Sequence, residues 1–206
     1  LAFFNALDNT LNLKSAQING TLAMKDSKLN IDAQILQKDE LQVSSSIGLV
    51  AGKNVQNNFL NFYIKDGKTY LNSMGTKTQS TVDKIGLKKN SKLNAYNPFL
   101  DLTDDQLCEL FDSSKKENDT YTFKVNTSKL ATLLDNMGSV KLDHATLVAT
   151  IKNEKISHMI LSFTGTQTVD DASADIDVSI ELSIKKLNKI NFPNDLDNYK
   201  NETAED

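Results

Sequence analysis

The run Asn61–Asn72, Asn-Phe-Tyr-Ile-Lys-Asp-Gly-Lys-Thr-Tyr-Leu-Asn, leaves this chain little choice of local structure. A two-residue type I′ hairpin turn needs positive φ at both central positions, and Asp-Gly tolerates that best. With Asp66 and Gly67 in the turn, Lys65 faces Lys68, Ile64 faces Thr69, Tyr63 faces Tyr70 and Phe62 faces Leu71. The pleat then puts Tyr63 and Tyr70 on one side as a cross-strand aromatic pair, and Phe62, Ile64 and Leu71 on the other. Neither side reads as simple solvent face.

Around this hairpin the apolar period is mostly two. Ile18, Gly20, Leu22 and Met24 alternate with polar neighbours, as do Leu29, Ile31, Ala33 and Ile35, and then Leu41, Val43, Ile47 and Leu49. These are three half-buried strands of a meander. Residues 52–58 read as a polar connection, and residues 77–82 as a further short strand. In the last third, residues 140–152 and 155–168 are long strands joined at Asn153-Glu154. A strand from Ala174 to Ile184 has the cleanest alternation in the chain. A two-residue loop at 153–154 would set His158 beside Ala149; a three-residue loop would move every face.

Helical spacing interrupts this pattern in three places. Leu1, Phe4, Leu7 and Leu11 predict a helix over residues 2–12. Thr103-Asp104-Asp105-Gln106 matches a capping box and opens a second helix, with Leu107, Leu110 and Phe111 on one face. Tyr121, Phe123 and Val125 form a short strand, after which Thr127 or Ser128 caps a third helix. Its stripe is Leu130, Leu133, Leu134 and Met137, stopped by Gly138. The two inserted helices are expected to run about three turns each, too short to persist without a sheet beneath them. The fold class is therefore α+β, with about seven to ten antiparallel strands and helices on one face of the sheet. Residues 1–192 make a single domain, and residues 193–206 an acidic, flexible tail.

Several chemistries are disfavoured by residue content. A formal charge of −4 and the absence of Trp argue against nucleic acid. No apolar run approaches the roughly 20 residues of a membrane-spanning helix. The lone Cys108 allows no internal disulfide, and beside a helix stripe it reads as a packed, inert thiol. His144 and His158 lack a second ligand at metal spacing and read as half-exposed strand residues. Asp170, Asp171, Asp175 and Asp177 lack the glycine turn and bidentate Glu of a calcium loop and read as solvated turn carboxylates. No Gly-x-Ser-x-Gly elbow or phosphate-binding glycine loop is present, so no enzyme and no cofactor is expected. All 23 basic residues are Lys, a bias of AT-rich coding. The chain opens on Leu1, and an export signal ahead of it is the expectation.

The hairpin Phe62-Tyr63-Ile64-Lys65-Asp66-Gly67-Lys68-Thr69-Tyr70-Leu71, followed by Gly75 and Lys77, resembles the aromatic-Lys-Asp-Gly-x-x-Tyr hairpin of the LolA/LppX/LprG-like lipoprotein superfamily. The likeness is to the uncharacterised lipoproteins of low-GC Gram-positive bacteria in particular, and the order of elements is similar. The resemblance implies a curved antiparallel β-sheet, a half-open barrel with helices covering its concave face, sometimes enclosing a cavity for acyl chains. It also implies an extracytoplasmic location at the outer face of the cell membrane, through an N-terminal lipid anchor that residues 1–206 do not contain. If such a cavity exists, the helix stripes Leu107, Leu110, Phe111 and Leu130, Leu133, Leu134, Met137 line it, with Phe62, Ile64, Ile180 and Leu182 from the sheet. Otherwise the same residues form a closed core. Two functions follow: a cell-envelope domain binding a lipid or other apolar ligand, or an envelope interaction and scaffold module with no ligand.

Overall fold

The computed structural model describes residues 1–134 and 139–202. Helix α1 (Ala2–Leu11) is followed by the meander β1 (Ser15–Met24), β2 (Ser27–Gln37) and β3 (Leu41–Ala51). Next come β4 (Asn54–Lys65), β5 (Lys68–Ser73) and β6 (Thr76–Thr81). A loop region then leads to α2 (Asp104–Cys108), β7 (Phe111–Glu117), β8 (Thr120–Val125) and α3 (Thr127–Leu134). The chain returns through β9 (Ser139–Lys152), β10 (Lys155–Val169) and β11 (Ala172–Lys185), and ends in the short β12 (Lys200–Asn201).

The strands form one 12-stranded sheet in the order β12-β6-β5-β4-β3-β2-β1-β11-β10-β9-β8-β7. All neighbours are antiparallel except β12, which lies parallel to β6. A twisted sheet wider than about ten strands curls, and this one is an open half-barrel with helices on its concave side. No helix among the described residues is long and apolar enough to cross a membrane.

The central hairpin has the register its turn demands, with Tyr63 opposite Tyr70 and Phe62 opposite Leu71. Asp66 and Gly67 take φ of 53° and 73°. Each face is covered separately. Ile64 is buried with Leu41 and Val82, and Phe62, Leu87 and Leu93 pack around them. On the other face Tyr63 and Tyr70 each meet a ring of the C-terminal segment edge-on, Phe192 and Tyr199 respectively.

That segment corrects the expectation of a loose tail. Leu196 and Tyr199 are buried, Gln79 Nε2 donates to the Tyr199 carbonyl at 2.6 Å, and Lys77 pairs with Asp195. Tyr63 and Tyr70 require cover, and residues 192–201 supply it as a strap. Residues 203–206 lie outside the described residues.

Four further expectations change. Residues 52–58 are no connection: Gly52-Lys53 is a tight turn with φ of 59° at Gly52, and β4 starts at Asn54. The capping box at Thr103 forms as read, but α2 has only 5 residues, because the chain leaves it to pair Phe111 with Val125. Leu110 and Phe111 therefore lie beyond the helix. The cap of α3 is Asn126, whose Oδ1 accepts from the Lys129 amide at 3.0 Å, in place of Thr127 or Ser128. Cys108, at the last turn of the short α2, is exposed instead of packed.

Candidate functional site

Between the helices and the β8–β11 end of the sheet lies a cleft of about 390 Å³. Its floor is Val125 of β8, Leu147 of β9, Met159 and Leu161 of β10, and Leu182 of β11. The register explains the floor. Met159 stands between Ala149 and Leu182, and Leu161 between Leu147 and Ile180, so one face of three strands is apolar. Gly20 makes room beside it: a Cβ there would meet Leu182 Cδ2 at 2.5 Å, so the absent side chain lets Leu182 lie over β1.

One wall is α1, presenting Phe3, Phe4, Leu7 and Leu11. The helix is tied to the sheet by polar contacts at its far end. Thr10 Oγ1 accepts from the Ile156 amide at 2.9 Å, and Asn9 Nδ2 donates to the Glu154 carbonyl at 3.0 Å. Next to α1 is an aromatic cluster. Phe111 stacks on Phe123 at 4.3 Å and on Phe4 at 5.5 Å, while Phe3 meets both Phe111 and Phe123 edge-on. Such pairs contribute roughly 0.5–1.5 kcal/mol each beyond burial, which stiffens this wall. The opposite rim is Tyr96, Pro98 and Phe99 from the loop, and Leu130 and Leu133 from α3. Leu133 is 53% exposed and marks the mouth.

Among the described residues Tyr96 carries the one hydroxyl on the lining, and that oxygen is engaged, 3.2 Å from both Ser91 Oγ and the Gly86 carbonyl. Every other lining side chain is aliphatic, aromatic or thioether. Among the described residues the lining therefore holds no carboxyl, amine, imidazole or thiol, and its apolar side chains can hold a molecule by removing apolar surface from water, at about 0.8 kcal/mol per methylene. Its volume falls in the usual range of roughly 300–1,000 Å³ for small-molecule sites.

Of the residues singled out in the sequence, Leu110, Phe111, Leu130, Leu133 and Leu182 line this cleft. Leu107 and Leu134 belong to the same core but not to its wall. Ile180 lies on the same face of β11, opposite Leu22 and Leu161, and is not part of the wall. Phe62 and Ile64 are a correction: they pack in the separate cluster around Leu41, four strands away from β11, so they do not share the cleft. Met137 lies outside the described residues. The sequence reading missed the role of α1 and of Tyr96–Phe99. The stripe on α1 was a signal for a buried face; nothing in the spacing of the loop residues marks them as a rim.

No family model matches the chain, and no curated protein matches it. Among solved structures, LprF from Mycobacterium bovis aligns over 94% of this chain and 94% of its own, with 10% identity and a TM-score of 0.47. A porin-like protein from Bacteroides uniformis aligns over 85% of this chain and 98% of its own, with 8% identity and a TM-score of 0.26. What the cleft does must be read from its own residues.

Proposed function

We propose that this chain is a non-enzymatic, extracytoplasmic domain that holds an acyl chain or similar apolar molecule between its sheet and its helices. One observation carries the reading: a cleft of about 390 Å³ whose wall, among the described residues, has a single hydroxyl, already engaged. Specificity in such a site comes from shape and length of hydrocarbon, since each added methylene gains about 0.8 kcal/mol only while it remains inside. The likeness of the hairpin and element order to LolA/LppX/LprG-like lipoproteins supports export and a lipid anchor ahead of Leu1. The rival, a scaffold with a closed core, is disfavoured by the same cleft.

Native mass spectrometry of the purified protein, followed by organic extraction, tests this. The expected result is a near-stoichiometric phospholipid, glycolipid or fatty acid that leaves on delipidation and returns from vesicles. A bare protein mass that stays unchanged after incubation with lipid vesicles would sink the reading and leave the scaffold.

A further inference from the structure

Hairpin turns close both ends of the sheet, and the two ends differ in chemistry. At one end Asp66-Gly67, Asn118-Asp119 and Asn153-Glu154 are flanked by Lys65 and Lys68, Glu117 and Thr120, and Lys152 and Lys155. At the other end the turns β1–β2, β3–β4 and β5–β6 lie side by side in the sheet. They carry Met24, Val55 and Met74, which are 43%, 61% and 66% exposed.

Met74 is hard to explain by folding. Among the described residues seven non-glycine residues take positive φ; six are Asp, Asn or Glu, and the seventh is Met74 at 48°. That backbone suits Asn, Asp or Gly and disfavours a bulky side chain. The turn is otherwise well made, with Asn72 Oδ1 accepting from the Gly75 amide at 2.9 Å. Met74 belongs to none of the buried clusters, so its apolar side chain faces water at a position where Asn would fit better.

The charges beside these tips have one sign. Lys25, Lys28 and Lys53 are exposed and, among the described residues, have no ion-pair partner. Lys77 is taken up by Asp195, and Asp26 is the one carboxylate within the three turns. The neighbouring β10–β11 hairpin is the opposite, with Asp170, Asp171, Asp175 and Asp177 around its exposed Val169. The turns step one way along the sheet. The Met74 amide donates to the Phe59 carbonyl, the turns at 25–26 and 52–53 are level through Ser27 and Ala51, and β11 runs on past Val178, opposite Met24. Strand tilt in a barrel-like sheet levels such steps into a rim.

Single apolar tips interleaved with lysines suit an anionic lipid surface, where short side chains enter the acyl boundary and ammonium groups stay at the headgroups. A protein partner would call for a buried aromatic or Arg anchor, and these turns have neither. The rim is also continuous with the cleft: Gly20 faces Leu182 of the cleft floor, Leu22 faces Ile180 and Met24 faces Val178, an apolar file running from floor to edge.

We propose that the turns at 25–26, 52–53 and 74–75 form a docking edge for an anionic lipid bilayer, with Met24, Val55 and Met74 in the acyl boundary and the acidic β10–β11 hairpin held off it. Docking at this edge does not depend on what the cleft holds. The test is co-sedimentation of the chain with vesicles of equal parts phosphatidylglycerol and phosphatidylcholine, and of phosphatidylcholine alone. Saturable, salt-sensitive binding to the mixed vesicles is expected, with about fivefold in partitioning from each lysine. Spin-labelled lipid should broaden amides of residues 24–26, 52–55 and 73–76 and spare those of 66–67 and 118–119. Met74→Asn with Val55→Thr suits both backbones, so it should keep the Tm while weakening binding about tenfold or more. Lys25→Glu with Lys53→Glu should remove the preference for phosphatidylglycerol. Ile85→Asn, at an exposed apolar residue beside Lys84 away from these turns, should change nothing, and Leu130→Trp, which fills the cleft, should leave docking intact. No binding to the mixed vesicles, or equal affinity for both kinds, would overturn the proposal. So would broadening at the opposite end, full binding by both folded double variants, or loss of binding in Ile85→Asn or Leu130→Trp.

Discussion

Tyr199 shows how one side chain decides whether a segment docks. It is 3% exposed, and burial first, then neighbouring Tyr63 and the Asp195 carboxylate, push its phenol up from 10.0 to about 12. Tyr63 and Tyr70, which the strap covers, are raised as well, burial again being the leading cause. A raised phenol pKa means that the folded form holds its protons more tightly than the unfolded chain. This contribution to stability is complete below about pH 10 and is lost as pH rises toward about 12. Alkali is therefore expected to release the strap before it unfolds the sheet, and absorbance of tyrosinate should rise together with hydrogen exchange of residues 195–201. Tyr199→Phe keeps the ring, loses the ionisation and should hold the strap to higher pH. Tyrosinate appearing wholly near pH 10, with no change in exchange, would contradict this account. The sequence made both faces of the hairpin visible through Tyr63 and Ile64. It did not show the cover, because Leu196 and Tyr199 lie in a polar run without period.

Helix α3 illustrates the same limit at the level of an element. Its N-cap Asn126 also donates from Nδ2 to Asp112 Oδ1 at 3.0 Å, tying the start of the helix to the edge strand β7. Asn126→Ala removes both bonds and is expected to cost about 0.5–2 kcal/mol, read as a lower urea midpoint with faster exchange over residues 127–134. Asn126→Ser, which keeps a capping oxygen, should recover part of the loss; equal stability of all three proteins would refute the cap. Elements fixed by local chemistry were legible, such as the Asp66-Gly67 turn and the capping box at Thr103. Elements fixed by cross-strand packing were not. The Asn153-Glu154 turn has two residues, yet an irregularity between Ile156 and His158 sets His158 opposite Thr150 and brings Met159 to Ala149. A second irregularity near Gly165 depends on close approach, since a Cβ there would lie 2.1 Å from the Lys141 carbonyl oxygen. Strand β7 reads Phe-Asp-Ser-Ser-Lys-Lys-Glu, without apolar alternation, because an edge strand is protected by charge.

Among the described residues, apolar surface is closed in some places and left open in others. The clusters around Leu41 and under the strap are sealed, whereas the core around Phe123 opens into the cleft. A cleft that binds hydrocarbon in the folded state alone must couple ligand to stability. At a free concentration one hundred times Kd, the gain is about 2.7 kcal/mol, which for a chain of this size is about 5–10 °C in Tm. Delipidated protein should melt lower by that amount and recover on adding the extracted lipid. Leu130→Trp, which fills the cleft from α3, should remove the lipid-dependent increment. The α1 wall is the wrong place for that test, because Thr10 and Asn9 tie it to the β9–β10 turn and a change there would disturb the fold. If Leu130→Trp still gains full stability from lipid, the hydrocarbon sits elsewhere on the curved sheet, and the open apolar row Leu182, Ile31, Ile47 and Leu60 becomes the surface to alter next.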